Sequence, residues 1–206
     1  LLAMTLVLPL GVGAAIYLTE YAANRRVVEL IEFATETLTG IPSIIFGLVG
    51  MLFFVQKMDL QAGVLAGSLT LVVMILPTIV RTTQESLKTV PQSYREGALA
   101  LGAGKWRMVR TVVLPNAVDG IVTGCILAVG RIVGETAALM YTSGTVERIS
   151  GLTKSGSTLA LHMYIQASEG LYTEQAYATS VVLLALVLLI NLGSSRIAKM
   201  MMKGRE

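Results

Sequence analysis

The chain has 206 residues, of which 54% are hydrophobic and only 14% are charged, and its net charge is +3. Soluble domains carry about 25% charged residues, so this chain has too few to cover a water-facing surface, and the composition predicts a polytopic membrane protein. The single cysteine, Cys125, lies in an apolar run, which excludes an intrachain disulfide framework or a cysteine metal site.

Five apolar stretches predict transmembrane helices, and the fold class predicted from them is an all-α helical bundle that forms a single domain over residues 1–206. In chain order the stretches are 1–18, 39–55, 62–80, 112–140 and 176–197. An amphipathic segment follows the first stretch, and a polar loop at 141–175 precedes the last one. Nothing in the composition between them indicates a linker to a soluble domain.

Small residues repeat at spacings of three or four in three of these stretches, which predicts faces that neighbouring helices approach closely. They are Gly40, Ser43, Gly47 and Gly50, then the pair Gly63 and Gly67, then the two pairs Gly120 with Gly124 and Gly130 with Gly134. Pro77 is expected to kink the third stretch near its end.

A charged segment between the third and fourth stretches carries helix start and stop signals. Ser93 and Glu96 have the spacing of a capping box, which predicts a helix over residues 94–101. Gly102 and Gly104 are expected to end it in left-handed geometry, after which a second helix returns to the membrane. The result is a compact surface protrusion that a soluble partner could grip.

The spacing of this segment resembles the EAA loop of bacterial ABC-importer permeases, in which E-A-A, three residues, G and nine residues precede I-x-L-P. The matching residues are Glu96, Ala98, Gly102, Val112, Leu114 and Pro115, and Gly97 departs from the pattern at its middle alanine. The resemblance implies a coupling loop at about 82–110 that docks on an ATPase subunit. The residues expected to couple to that subunit are Ser93, Glu96, Ala98 and Gly102.

Basic residues mark the cytoplasmic side of a membrane protein. Twelve of the sixteen Lys and Arg lie in three segments that would share one side: 19–40, 81–110 and 196–206. Three lie on the opposite side: Lys57, Arg148 and Lys154. The bias places the coupling loop and the C-terminus in the cytoplasm. Since an importer permease with both ends inside needs one further span, six spans are expected in the full chain, of which this one would be an N-terminally truncated part.

The sharpest polar feature inside an apolar stretch is the pair Arg131 and Glu135. Residues four apart share one face of a helix, and ionised groups at such depth face a bundle interior or a water-filled path. Arg131 offers donors suited to an oxyanion, and Glu135 could pair with it while the site is empty. The alternative is a structural ion pair that only fixes helix packing.

Three stretches, GIPSIIFGLVG, LPTIVRTTQESLKTVP and GRIVGETAALMYTSG, resemble the phosphate permease family of ABC importers when taken with the loop. The resemblance covers about residues 1–195 and implies alternating-access transport of inorganic phosphate, with Arg131 and Glu135 on the translocation path. It also implies a PstC-like homologous permease, two PstB-like ATPase subunits and a PstS-like periplasmic phosphate-binding protein as partners. ATP and Mg would then be bound by the ATPase subunits, and this chain would need no cofactor of its own.

Two other functions remain open at this point. The cargo could be sulfate, molybdate or another oxyanion, or the protein could be an ATP-independent carrier or channel. The sequence contains no Walker loop, HExxH motif or nucleophile–histidine pair, so the chain is not expected to be an enzyme. The lone His162 is interpreted as a structural or surface residue, and neither catalytic nor metal-binding residues are predicted.

Overall fold

The structure is a computed structural model that describes residues 1–146, 151, 154–170 and 172–203, with side chains omitted at 195 and 197–203. Every secondary-structure element within the described residues is helical, which confirms the predicted all-α fold. Of the basic residues used to predict orientation, Arg148 and Arg205 lie outside the described residues, as do the side chains of Lys199 and Lys203.

Ten α-helices, three of them adjoining π-helical turns, make up the described chain. They are α1 (Leu2–Ile16, continued by a π-helical turn at Tyr17–Tyr21), α2 (Arg25–Thr39), α3 (Ser43–Gly50, continued by Met51–Lys57), α4 (Val64–Lys88), α5 (Gln92–Ala100), α6 (Lys105–Met108, continued by Val109–Val113), α7 (Leu114–Gly134), α8 (Ala137–Thr142), α9 (Leu159–Glu169) and α10 (Thr173–Lys203).

Four helical segments of the described chain are long and apolar enough to cross a membrane: Leu2–Tyr21, Val64–Lys88, Lys105–Gly134 and Thr173–Ser194. A fifth crossing exists only if α2 and the extended α3 count together, and these two are bent by 101°. The extended α3 rises at most about 22 Å, which is shorter than the roughly 30 Å hydrocarbon core. The predicted span at 39–55 is therefore a short helix, and the predicted span at 112–140 instead begins at Lys105 and ends at Gly134.

The central helix is α4, which packs against α1 on one side and α7 on the other. Its side chains join two apolar clusters: Ile75 and Ile79 pack with Val7 of α1, while Leu87 packs with Val113 near the other end. Because α4 contributes to both clusters, it links the two ends of the bundle.

Close helix approaches occur at several of the small residues that predicted them. A Cβ at Gly47 would lie 2.8 Å from the Cα of Ala138, so α3 and α8 meet backbone to backbone. Gly120 and Gly124 likewise face Ser86 and Thr82 of α4. At Gly130 and Gly134 an added Cβ would have no described atom of this chain within 4 Å, so no helix of the described chain packs closely there.

Polar contacts fasten α2 to the last turns of α4. Glu36 pairs with Arg81 at 3.0 Å, and Glu32 pairs with Lys88 at 2.8 Å while also accepting a hydrogen bond from Gln84. These contacts run along α2 in the order opposite to that along α4, so the two helices are antiparallel.

Candidate functional site

Within the coupling loop, the two short helices α5 and α6 are joined by a tight turn. The first helix, α5, begins at Gln92 with Pro91 at the N-cap, two residues earlier than predicted. The backbone of Pro91 is extended (φ −58°, ψ 140°), and its carbonyl accepts from the amide of Tyr94 to start the first turn. Ser93 therefore lies inside the helix, and the capping box predicted for Ser93 and Glu96 does not form.

The helix ends in a Schellman motif centred on Gly102. The amide of Gly102 donates to the carbonyl of Leu99, and the amide of Ala103 donates to that of Ala98, at 2.9 and 3.1 Å. Gly102 has φ +79°, as predicted, whereas Gly104 is extended rather than left-handed (φ −66°, ψ 156°) and caps α6 instead. The turn thus needs glycine at one position only.

Three of the four predicted coupling residues lie together. Ser93, Ala98 and Gly102 line a groove of about 580 Å³ between α5 and the helix that follows it. Glu96 is exposed on α5 but does not line this groove. Large apolar side chains are exposed around the turn, with Leu101 91% and Trp106 62% exposed. Such exposed apolar surface is typical of contact with a partner protein.

The opposite side of α5 holds a residue that sequence reasoning missed. Arg95 is the only buried residue of α5, and its guanidinium pairs with Glu20 at 2.8 Å. Glu20 lies 75 residues earlier, in the π-helical turn that ends the first span. No local pattern signals a pair so distant along the chain; an arginine inside a helix that is otherwise exposed is the only hint.

Within the membrane span, Arg131 lies against the central helix. Its Nη1 donates to the Thr78 hydroxyl over 3.5 Å, and Arg131 forms no ion pair with any residue that the structure describes. Counting along α4 places Thr78 about 21 Å from Val64 and about 5 Å from Arg81, the first charged residue after the apolar stretch. A half-buried arginine without a carboxylate partner is thus held inside the bundle on the side nearer the coupling loop, where its donors can meet an anion.

Glu135 lies next to this position but in a different local structure. Because α7 ends at Gly134 and Glu135 has extended backbone (ψ 127°), the predicted shared helix face of Arg131 and Glu135 is wrong. The buried Glu135 carboxylate accepts from the amide of Ala138 at 3.0 Å, at the start of α8, and it forms no ion pair with Arg131. The break between the two helices separates the charges that the sequence placed four residues apart.

Comparison with known proteins identifies one family and several related permeases. The family described as "Binding-protein-dependent transport system inner membrane component" matches residues 8–204. The "Probable ABC transporter permease protein YqgI" of Bacillus subtilis is 35% identical, covering 97% of this chain and 74% of the relative. The phosphate transport system permease protein PstA of Xylella fastidiosa is 36% identical, with coverages of 94% and 69%.

Two further likenesses are more limited. The chain is 44% identical to PstA of Yersinia pestis, but the match covers 66% of this chain and spans only 45% of that relative's length. Among solved structures, an inward-facing form of the MetNI methionine ABC transporter has a TM-score of 0.77 at 21% identity, covering 97% of this chain and 89% of the other. At that identity the likeness shows the fold alone.

Proposed function

We propose that this chain, which belongs to the family of binding-protein-dependent transport system inner membrane components, carries inorganic phosphate as a permease subunit of an ATP-binding-cassette importer. It is a multi-pass inner-membrane protein and a transport subunit rather than an enzyme. The observation that carries the phosphate proposal is the half-buried Arg131 that contacts Thr78 within the bundle and has no carboxylate partner among the described residues.

The physical argument concerns charge in a low-dielectric environment. An arginine in a membrane span is costly unless it meets an anion or water, and its fork of donors fits the oxygens of phosphate. Thr78 orients the Arg131 side chain with a single long hydrogen bond, which leaves the rest of the guanidinium available. The cargo would then be attracted to a fixed positive charge without being bound so tightly that it cannot leave.

The source of energy would be a separate ATPase. We assign the coupling loop at about 82–110 to the cytoplasmic face, where α5 docks on a PstB-like subunit that binds ATP and Mg. A PstC-like permease would complete the path, and a PstS-like protein would deliver phosphate from the other side. ATP binding would shift the assembly between inward-open and outward-open states through its different affinity for the two.

A reconstituted complex tests this function. The chain, a PstC-like permease and two PstB-like ATPase subunits are placed in liposomes with the PstS-like protein outside, and radiolabelled phosphate uptake is followed with and without ATP. We expect uptake that requires ATP and that excess sulfate or molybdate does not block. Equal competition by these anions would show that the site does not select phosphate over other oxyanions. Uptake without ATP would favour a carrier or channel.

A further inference from the structure

We infer that Arg95 is a positioning residue that holds α5 against the C-terminal ends of α1 and α4. Through this contact, movement of α5 would be passed along α4 to Arg131. The inference rests on the proposed function, because it assigns a transmission route to an ATPase-driven importer. It is carried by the geometry of one buried guanidinium and the three chain segments that it joins.

The pair of Arg95 with Glu20 is the most buried of the five ion pairs in the described chain. The two side chains are 11% and 5% exposed, whereas every other pair has at least one side chain that is more than half exposed. Both Nε and Nη2 of Arg95 donate to Oε1 of Glu20, at 3.1 and 2.8 Å. Removing one partner of a buried pair leaves the other charge uncompensated, so the loss of either partner costs more here than at a surface pair.

The same guanidinium also binds the end of the central helix. Its Nη2 donates to the carbonyl of Leu87 at 2.8 Å, and its Nη1 donates to the carbonyl of Val90 at 2.6 Å. The last carbonyls of a helix have no partner within the helix and carry partial negative charge, so a cation there is favourable. Arg95 therefore fixes α5 to the last turn of α4 as well as to the end of the first span.

This attachment gives α5 two connections to Arg131. One is covalent and runs through the four-residue turn into α6 and α7. The other runs through Arg95 to Leu87, then along α4 to Thr78, whose hydroxyl accepts from Arg131. α7 also packs closely on α4 where Gly120 and Gly124 meet Ser86 and Thr82, so the two routes are in contact before they reach Arg131.

The test compares phosphate transport with ATP hydrolysis in the same reconstituted complex. The variants are Arg95→Met and the double variant Arg95→Met with Glu20→Met, which removes both charges and leaves neither buried alone. The matched control is Arg25→Met, which removes the exposed pair of Arg25 with Glu29 near the same end of the bundle. Purified complexes are first compared for subunit content and thermal midpoint.

We expect the phosphate transported per ATP hydrolysed to fall at least about fivefold in both Arg95 variants, as for the loss of a coupling free energy between sites. The control should change this ratio by less than about twofold, because exposed pairs contribute little. A purely structural pair would lower complex yield and both rates together, which leaves the ratio unchanged, and the double variant would then restore the yield.

Three outcomes are decisive against the inference. An unchanged ratio in the assembled double variant overturns the role of Arg95 while leaving the proposed function intact. Failure of both variants to assemble shows that the pair only holds the fold, which overturns the role as well. Absence of ATP-driven uptake by the wild-type complex overturns the proposed function and, with it, this inference.

Discussion

The Arg131 guanidinium donates to the hydroxyl of Thr78 across 3.5 Å, so the charge of α7 is held against the central helix α4. The distance is at the long end of hydrogen bonds, and the Arg131 side chain makes no other hydrogen bond to a described residue. A cation held this loosely within the bundle can exchange its contact for an arriving anion at little cost.

Replacing Arg131 with glutamine tests whether that charge is needed. Arg131→Gln keeps a polar, though shorter, side chain and removes the charge, and we expect phosphate uptake to be abolished while the complex still assembles. Uptake into proteoliposomes and subunit content after purification are the measurements. Arg26→Gln, which changes an exposed arginine on α2, is the control and should transport normally. Normal uptake by Arg131→Gln would exclude a translocation role for this residue.

Substitutions at Glu135 separate its charge from its hydrogen bond. Glu135→Gln retains an oxygen that can accept from the Ala138 amide, so we expect the thermal midpoint to stay near that of the wild type while uptake falls. Glu135→Ala also removes the acceptor and should cost about 1 kcal/mol of stability, as for a lost helix cap. Should Glu135→Gln transport at the wild-type rate, the carboxylate would serve only to cap α8.

A charge reversal at Glu96 tests the docking surface. Because Glu96 is exposed and does not cap α5, Glu96→Lys should leave the fold intact and weaken binding of the ATPase subunit. Co-purification of that subunit is the readout. Glu29→Lys places the same reversal on α2 and should not affect binding. Equal recovery of the ATPase with both variants would remove Glu96 from the interface.

The turn after α5 offers a matched pair of glycine substitutions. Gly102 has φ +79°, a region that costs an L residue about 1 kcal/mol or more, so Gly102→Ala should destabilise the turn. Gly104 has φ −66°, which any residue can adopt, and an added Cβ there meets no described atom within 4 Å, so Gly104→Ala should leave the turn after α5 unchanged and cost only the small N-cap preference for glycine at α6. Hydrogen exchange of the α5 amides reports the difference. Similar exchange in both variants would mean that the turn is not constrained by its backbone.

Close packing of α3 on α8 predicts a steric effect at Gly47. A Cβ there would lie 2.8 Å from the Ala138 Cα and 3.0 Å from its carbonyl oxygen, and backbone cannot easily move away. Gly47→Ala should therefore cost about 1–3 kcal/mol, as overpacking does elsewhere. The thermal midpoint of the purified complex measures this, with Gly130→Ala as a control in open space. A midpoint unchanged by Gly47→Ala would show that the two helices can separate.

Most spans and helix α5 could be predicted because each has a local signal in the sequence. Long apolar stretches indicate spans. Glycine commonly ends a helix because it adopts left-handed backbone easily, and Gly102 does so after α5. The shortness of α3 was not predictable, since its apolar composition is that of a span and the sharp bend at residues 40–42 sets where it begins. Hydropathy indicates whether a segment can contact lipid or protein, but it does not reveal a bend in the chain just before that segment.

The geometry of the charged residues depended on contacts that are distant along the chain. Helical spacing placed Arg131 and Glu135 on one face, but α7 stops at Gly134 and the two side chains bond to different helices. Gly134 is a residue type that can end a helix, but the mostly apolar residues that follow it favoured a continuous span. Arg95 and Glu20 could be paired only once α1, α4 and α5 were assembled in three dimensions.

The π-helical turn at Val109–Val113 has a consequence for length variation between related sequences. Its i→i+5 bonds enclose one residue more than the i→i+4 bonds of an α-helix, so a deletion there would leave a regular helix. A deletion later in α7 would instead swing Arg131 by about 100° away from Thr78. Gaps in this part of an alignment should therefore accumulate at the widened turn and be absent between it and Arg131.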